Sequence, residues 1–559
     1  MADKAVSDAW WRNTVWYALD VKTYSDSDGD GWGDFTGLTR RMSYLRELGI
    51  GCLWLTPFHP SPMRDDGYDV ADYYGVDPRL GTAGDLVEMV RTAHDHGIRV
   101  VMDLVVNHTS DEHPWFREAR SDARSPRRGY YVWSREQPPP SDRPEPIFPG
   151  EQKETWTFDE EAGEWYFHRY HDFQPDLAFG TPQVHDEIHK VIGFWLELGL
   201  DGFRVDSLPF LIDKPGRGDD GRRRHRDLRT VRDFLSRRRG DAVLLGEANL
   251  PPDEQRAFFG DPNCPHDESE VQLLFDFAVQ GAVWLGLAQG SAAPLERAIR
   301  ARPDVPDSCS YAVFARTHDE LTLEQVLTAD EVEQVRAVFA PDGVGWIYGR
   351  GLRRRLASLL RHDDDRIRLV HSLVHAIPGV PVLQYGDEVG LADDLELPGR
   401  LATRVPMRWT EEDDGGFSDA SPHRWARRAG NVREGASVAA QRHVAGSLLE
   451  ATRQLVHVRR ECAEIGFGAT EVLPTAEDSV LGLRSTWLGQ RVVTFHNVSE
   501  RRVPDASAGV DLDSETVVDL LSPGGEAKAS PSRIPLEPWG YRWLRLDASD
   551  ATDVAGVGV

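Results

Sequence analysis

The sequence predicts an α/β fold, a (β/α)8 TIM barrel with a subdomain inserted after the third strand and an antiparallel β domain at the C-terminus. Eight short apolar, β-rich runs recur at 15–24, 51–56, 99–106, 202–206, 242–247, 273–277, 311–316 and 380–385. Several are nearly continuous in Val, Leu and Ile, the pattern of parallel strands buried on both faces. Amphipathic helical segments such as 84–96 and 184–198 stand between most of them. Eight β-then-α units close into a barrel. An open doubly wound sheet would bring a Gly-rich phosphate loop after the first strand, and none is present.

Two regions break the alternation. Residues 109–172 are rich in Pro, Arg, Trp and Tyr, and a connection that long is functional or a small domain of its own. From residue 468 onward, short alternating runs at 480–483, 491–496, 516–520 and 541–546 predict a small β-sandwich. The expected organisation is barrel over 1–108, inserted subdomain over 109–172, barrel again over 173–467, sandwich over 468–546 and a loose acidic tail over 547–559.

The chain has 559 residues and a formal net charge of −28, which disfavours nucleic acid and anionic membrane as partners by repulsion. It suits a neutral small-molecule substrate. No apolar run reaches the roughly 20 residues that span a bilayer, and the N-terminus has no signal-peptide pattern. Cys52, Cys264, Cys309 and Cys462 are scattered, as reduced structural cysteines are. A cytoplasmic protein is expected, with a homo-oligomer left open.

In such a barrel the chemistry sits at the C-terminal ends of the strands. Those ends carry Asn107 and His108 after strand three, Arg204 and Asp206 on strand four, Glu247 after strand five, and His318 and Asp319 after strand seven. A lone acid after an apolar run is often only a helix cap. Three acids at one rim, with Arg204 two residues from Asp206 on the same strand face, exceed what capping explains. Arg204 can hold Asp206 ionised, as a nucleophile requires. Glu247 would need a raised pKa to donate a proton.

These segments resemble the α-amylase superfamily, glycoside hydrolase family thirteen, and most of all its trehalose synthase branch. The narrower likeness rests on 64–74 (Arg-Asp-Asp-Gly-Tyr-Asp-Val-Ala-Asp-Tyr-Tyr), 206–211, 317–324, 351–357, 384–388 and 540–543, and covers nearly the whole chain. The resemblance implies a retaining enzyme on α-glucosides such as maltose or trehalose, with α-glucosidase or another glucosyltransferase as the alternative. It implies Asp206 as nucleophile, Glu247 as acid/base and Asp319 as the group that stabilises the distorted sugar. It further implies that His108 and His318 bind the glucose and that Asp69 and Arg404 close around its non-reducing end. Thr317 and Arg408 depart from the family pattern of Asn and Gln, and the stretch between Glu247 and Asp319 is also unusual. These departures are expected on the acceptor side.

Two calcium sites are expected, both structural. Asp26, Asp28, Asp30 and Asp34, with Trp32 between them, alternate acids around glycines, a spacing that converges oxygens on a hard cation. The second set is Asn107, Asp176 and Asp213 with main-chain oxygens of Phe210 and Leu211. No organic cofactor is expected.

Overall fold

The computed structural model describes residues 9–546, except 216–220, 261–268, 413, 422, 424, 426, 428–432, 511, 513–515, 523–526 and 530–532. Cys264 and the expected tail at 547–559 lie outside the described residues.

Eight parallel strands close into a barrel: β1 (Trp16–Leu19), β2 (Cys52–Leu55), β3 (Arg99–Leu104), β4 (Gly202–Val205), β5 (Val243–Gly246), β6 (Leu273–Phe275), β7 (Ser310–Val313) and β8 (Val380–Gln384). Neighbours pair in chain order and β8 closes on β1. Every predicted run supplies one strand. The first strand is shorter than its apolar run: after Leu19 the Asp20 carboxylate accepts from the Lys22 amide and turns 21–23 into one turn of 3-10 helix.

Side chains alternate across each strand. Trp16, Ala18, Cys52, Trp54, Val101, Val243, Leu245, Leu273, Phe275, Val380 and Val382 fill the interior. The intervening residues, among them Tyr17, Leu53, Val100 and Leu244, pack outward against helices. The inward rows end in charge: Val101 is followed two positions on by Asp103, and Gly202 by Arg204 and Asp206. Gly202 is required where it stands, since a Cβ there would meet the Val243 oxygen at 2.2 Å.

The helices form as their patterns dictate. The segment predicted at 84–96 is the helix Ala83–Asp95, opened by a Thr82–Asp85 capping box. It buries Leu86, Met89, Val90 and Ala93 against the barrel, each large side chain contributing about 1.5–3 kcal/mol. The segment at 184–198 is Pro182–Glu197, with proline in its first turn and Val184, Ile188, Val191, Ile192 and Trp195 buried. Among the described residues no helix is long and apolar enough to cross a membrane.

The inserted subdomain has a helix, Pro114–Ser121, and a three-stranded sheet ordered Trp133–Ser134, Glu164–Phe167, Trp156–Asp159. Phe116, Trp133 and Tyr166 hold it together by ring contacts. A second excursion, unannounced by the sequence, follows β7: Leu321–Thr322, Gly351–Leu352 and Trp346–Ile347 form another small antiparallel sheet.

The C-terminal domain departs from the expected sandwich. Its described strands form one six-stranded sheet, ordered Ala469–Leu473, Val480–Trp487, Gln490–Asn497, Tyr541–Leu546, Thr516–Asp519, Ala527–Ala529. One face, with Leu481, Leu483, Val492 and Trp543, packs on barrel helices. The other, with Val493, Phe495 and Leu544, is covered by an irregular segment carrying Val503, Ile534 and Leu536. Among the described residues both faces are therefore buried without a second sheet.

Candidate active site

Arg204 organises the rim. Its Nη1 lies 2.5 Å from Asp206 Oδ1 and 3.1 Å from Asp103 Oδ1, and its Nη2 lies 2.8 Å from Glu247 Oε2. One buried guanidinium thus bridges the two acids expected to do the chemistry. The strand pleat aims Arg204 and Asp206 inward together, as the sequence spacing requires.

Ser207, directly after Asp206, is left-handed with φ 54° and ψ 40°, a conformation costing about 1–3 kcal/mol in a residue with a Cβ. That backbone turns its N–H to Glu247 Oε2 at 3.1 Å and its Oγ–H to Asp206 Oδ2 at 2.8 Å. Oε2 of Glu247 is thereby occupied twice, which leaves Oε1 to carry a proton. Burial lifts the Glu247 carboxyl to about 7; Arg204 opposes the rise, while the like charges of Asp206 and Asp319 add to it. Glu247 is thus poised as a proton donor near neutrality.

Asp319 is held in the opposite sense. Burial would raise its carboxyl, but His318, Arg400 and Arg404 hold it well below the ordinary range. Arg400 Nη1 and Arg404 Nη2 reach Oδ1 at 2.8 and 2.7 Å, and His318 Nε2 lies 3.2 Å from Oδ2. Burial takes the His318 pKa well below the usual value, so the imidazole is neutral and the charge that holds Asp319 down comes from the two arginines. Tyr68 joins the halves of the rim: its hydroxyl donates to Asp103 Oδ2 at 2.8 Å and lies 2.6 Å from His318 Nε2. His108 lines the same cleft, its Nε2 3.1 Å from the Tyr68 carbonyl.

Asp206, Glu247, Asp319, Arg204, His108 and His318 therefore line one cleft, with the unusual Thr317 beside them. Its walls include Ile147, Phe148 and Tyr170 of the insertion, and Thr322, Gln325 and Arg350 of the excursion after β7. The Phe148 and Tyr348 rings meet at a tilt, their centroids 5.1 Å apart, and the Tyr348 hydroxyl donates to Glu151 Oε2 at 3.1 Å, so the two excursions meet beside the cleft wall that Phe148 forms. The aromatic composition of 109–172 was the sequence signal for these walls.

Four expectations are corrected. Asp69 is fully buried behind the cleft, accepting from Ser61 Oγ and the amides of Arg64 and Asp65, and so anchors the loop rather than facing a ligand. Arg404 also stands one layer back, tied to Asp66 at 2.6 Å and to Asp319. The charged residues that reach the cleft from these two segments are Asp65 and Arg400. Arg408 is buried away from the cleft, donating to the Glu412 carbonyl at 2.9 Å, because the chain turns back there through Gly415.

The fourth correction concerns the second cation set. Lys214 Nζ lies 2.6 Å from Asn107 Oδ1 and pairs with Asp176 Oδ2, both fully buried. An ammonium thus stands between two of the expected ligands. Asp213, the next residue back, points away to Arg169 at 2.9 Å and is largely exposed. The three side chains of the expected set therefore do not converge on one divalent cation.

The first set is partly brought together. Carboxylate oxygens of Asp26, Asp28 and Asp34 lie within 4.8 Å of one another. Asp30 stays outside that group, accepting from the Trp32 amide at 2.7 Å, and the Trp32 ring lies against Arg79.

The family described as "Alpha amylase, catalytic domain" matches residues 21–340 and 345–467. The chain is 39% identical over 552 residues to the trehalose synthase/amylase TreS of Mycobacterium tuberculosis, covering 96% of this chain and 90% of the relative. It is 36% identical over 558 residues to the trehalose synthase of Pimelobacter sp., covering 97% of each. The fold superposes on isomaltulose synthase from Klebsiella sp. LX3 with a TM-score of 0.77 at 20% identity, over 96% of this chain and all of that one. With its barrel, its rim of three acids and these relatives together, the chain belongs to the α-amylase family, glycoside hydrolase family thirteen, and is an enzyme of it.

Proposed function

We propose that this enzyme isomerises maltose to trehalose through a covalent glucosyl-enzyme, releasing some glucose by hydrolysis. The observation that carries the mechanism is the Arg204 bridge between Asp206 and Glu247. A shared guanidinium keeps the two carboxyl groups close, in keeping with the roughly 5–5.5 Å of retaining pairs rather than the wider gap that admits a water between them. Arg204 pairs with Asp206 and holds its carboxylate in place for attack, and Glu247, lifted to about 7, gives its proton to the leaving oxygen. Asp319, held anionic by two arginines, faces the positive charge that develops on the sugar.

The released glucose must then turn and offer its anomeric hydroxyl before water arrives. The meeting of the insertion with the loop after β7, through Phe148, Tyr348 and Glu151, supplies the cover this needs. The near full-length likeness to trehalose synthases favours isomerisation over simple hydrolysis. Incubation with maltose in the presence of labelled free glucose tests the reading. The expected result is trehalose that excludes the label, with unlabelled glucose as by-product. Heavily labelled disaccharide would identify an intermolecular transferase, and glucose without trehalose a hydrolase.

Calcium at the loop of Asp26, Asp28 and Asp34 belongs to the same proposal. The three carboxylates converge, and no arginine or lysine pairs with them among the described residues. The donor set is all oxygen, as calcium prefers. Bound there, the ion would neutralise the cluster and clamp the loop onto 417–418, which already meets it through the Asp26 amide and carboxylate.

A further inference from the structure

The nucleophile has a partner that its role as a bare carboxylate does not require. Asp206 Oδ1 is taken by Arg204, which leaves Oδ2 as the attacking oxygen, and Oδ2 receives a hydrogen bond from Ser207 Oγ. The Ser207 hydroxyl in turn meets the hydroxyl of Tyr170. The direction of these bonds is fixed by proton count. An ionised Asp206 can only accept, so Ser207 spends its single proton on Asp206, and Tyr170 must donate to Ser207. Tyr170 comes from the insertion, where Phe148 and Phe210 pack near its ring and His108 meets it edge-on at 5.4 Å. The side-chain chain Tyr170 to Ser207 to Asp206 thus runs from the insertion to the reacting oxygen.

We propose that the Ser207 hydroxyl, oriented by Tyr170 acting as a positioning residue, governs how readily Asp206 leaves the glucosyl-enzyme. This rests on the double displacement proposed above. In the first half, Asp206 Oδ2 forms a bond to the anomeric carbon while the glycosidic bond breaks and Glu247 protonates the departing oxygen. In the second, an acceptor hydroxyl loses its proton to Glu247, its oxygen bonds to the anomeric carbon, and the electron pair of the ester bond returns to Oδ2. A donor on Oδ2 weakens the carboxylate as a nucleophile and stabilises it as a leaving group. Ser207 therefore slows formation of the intermediate and speeds its release. The dependence on Tyr170 ties the release to a seated insertion, so the glucosyl group leaves while the cleft is covered. The left-handed backbone of Ser207 is what lets one residue hold Glu247 by its N–H and Asp206 by its hydroxyl.

The test uses the full chain with a nitrophenyl α-glucoside, whose good leaving group makes the first half fast. Ser207→Ala should show a larger pre-steady-state burst of nitrophenol, and intact-protein mass spectrometry should find more glucosylated enzyme at steady state. Turnover should fall by about tenfold, the loss expected of a hydrogen bond to a charged group, and KM should fall with it. Ser207→Gly suits the positive φ and also lacks the hydroxyl, so it should match the alanine variant and separates the hydroxyl from backbone strain. Tyr170→Phe should shift the partition the same way and less strongly. The double variant Ser207→Ala/Tyr170→Phe should behave as Ser207→Ala alone, because Tyr170 acts through Ser207. Unchanged burst and adduct levels in folded Ser207 variants would overturn the proposal, as would Tyr170→Phe and Ser207→Ala effects that multiply. Failure of the underlying mechanism reads differently: wild-type product of inverted anomeric configuration would remove the covalent intermediate itself.

Discussion

Arg400 Nη2 lies 2.6 Å from Asp65 Oδ1, joining two loops that stand 335 positions apart in sequence. Arg400 also reaches Asp319 and lies over the Phe148 ring at 4.7 Å. It therefore touches the loop after β2, the acid after β7 and the insertion at once. Replacing Arg400 by Ala should lower kcat/KM on maltose by about 100-fold or more, since an anion in the cleft loses a charged hydrogen-bond partner. Asp65→Asn should act in the same direction. Near wild-type kinetics for both would show that the pair only closes the loops.

Lys214 is the second prediction. It is buried and paired with Asp176 and Asn107. Lys214→Ala should destabilise the fold by about 3–5 kcal/mol, the cost of leaving a buried partner charge unpaired. Denaturant unfolding measures it. Added calcium should not restore the wild-type midpoint at micromolar concentration; full restoration would mean that Asn107 and Asp176 retain a working cation site.

The Glu247 carboxyl, lifted to about 7, predicts the alkaline limb of the activity profile. Glu247 must be protonated to donate, so kcat/KM should fall as pH rises through about 7. The sign for stability is the same: a carboxyl raised on folding contributes its stability at acid pH and loses it as pH rises through the folded value. Arg204→Gln removes the charge that opposes the rise and should move the limb to higher pH. A profile flat to pH 9 in the wild type would contradict the assignment of Glu247 as the acid.

Chelation of calcium should lower the melting temperature of the wild type, because an ion that binds only the folded state stabilises it by mass action. Asp26→Asn/Asp28→Asn should abolish the effect. A chelator-insensitive melting curve together with metal analysis that finds no calcium would refute the proposed site.

The parts of this account that were legible in the sequence are those whose neighbours are local. The barrel strands declare themselves because burial on both faces demands continuous apolar runs. Arg204 and Asp206 share a strand face by pleat alone, so their meeting follows from spacing. The sequence does not distinguish Asp65 and Arg400 from Asp69 and Arg404, each four residues further on, because loop geometry decides which of several charges reaches the cleft. The left-handed turn at Asp66 and Gly67 is what carries Asp65 outward and Asp69 inward. Lys214 directly follows Asp213, and only the folded chain shows which of the two side chains turns inward. Tyr170 and Phe148 sit in a segment whose composition announced a cover but whose packing could not be read from periodicity.

The central claim is that Asp206 carries the glucosyl group. It is tested most directly by trapping the intermediate with a glucosyl fluoride deactivated at the ring, digesting the protein and sequencing the modified peptide by mass spectrometry. The account predicts one glucosyl adduct, on Asp206, absent from Asp206→Ala and formed more slowly in Asp319→Asn. An adduct on any other residue, or none while the enzyme still turns over the probe, would contradict it.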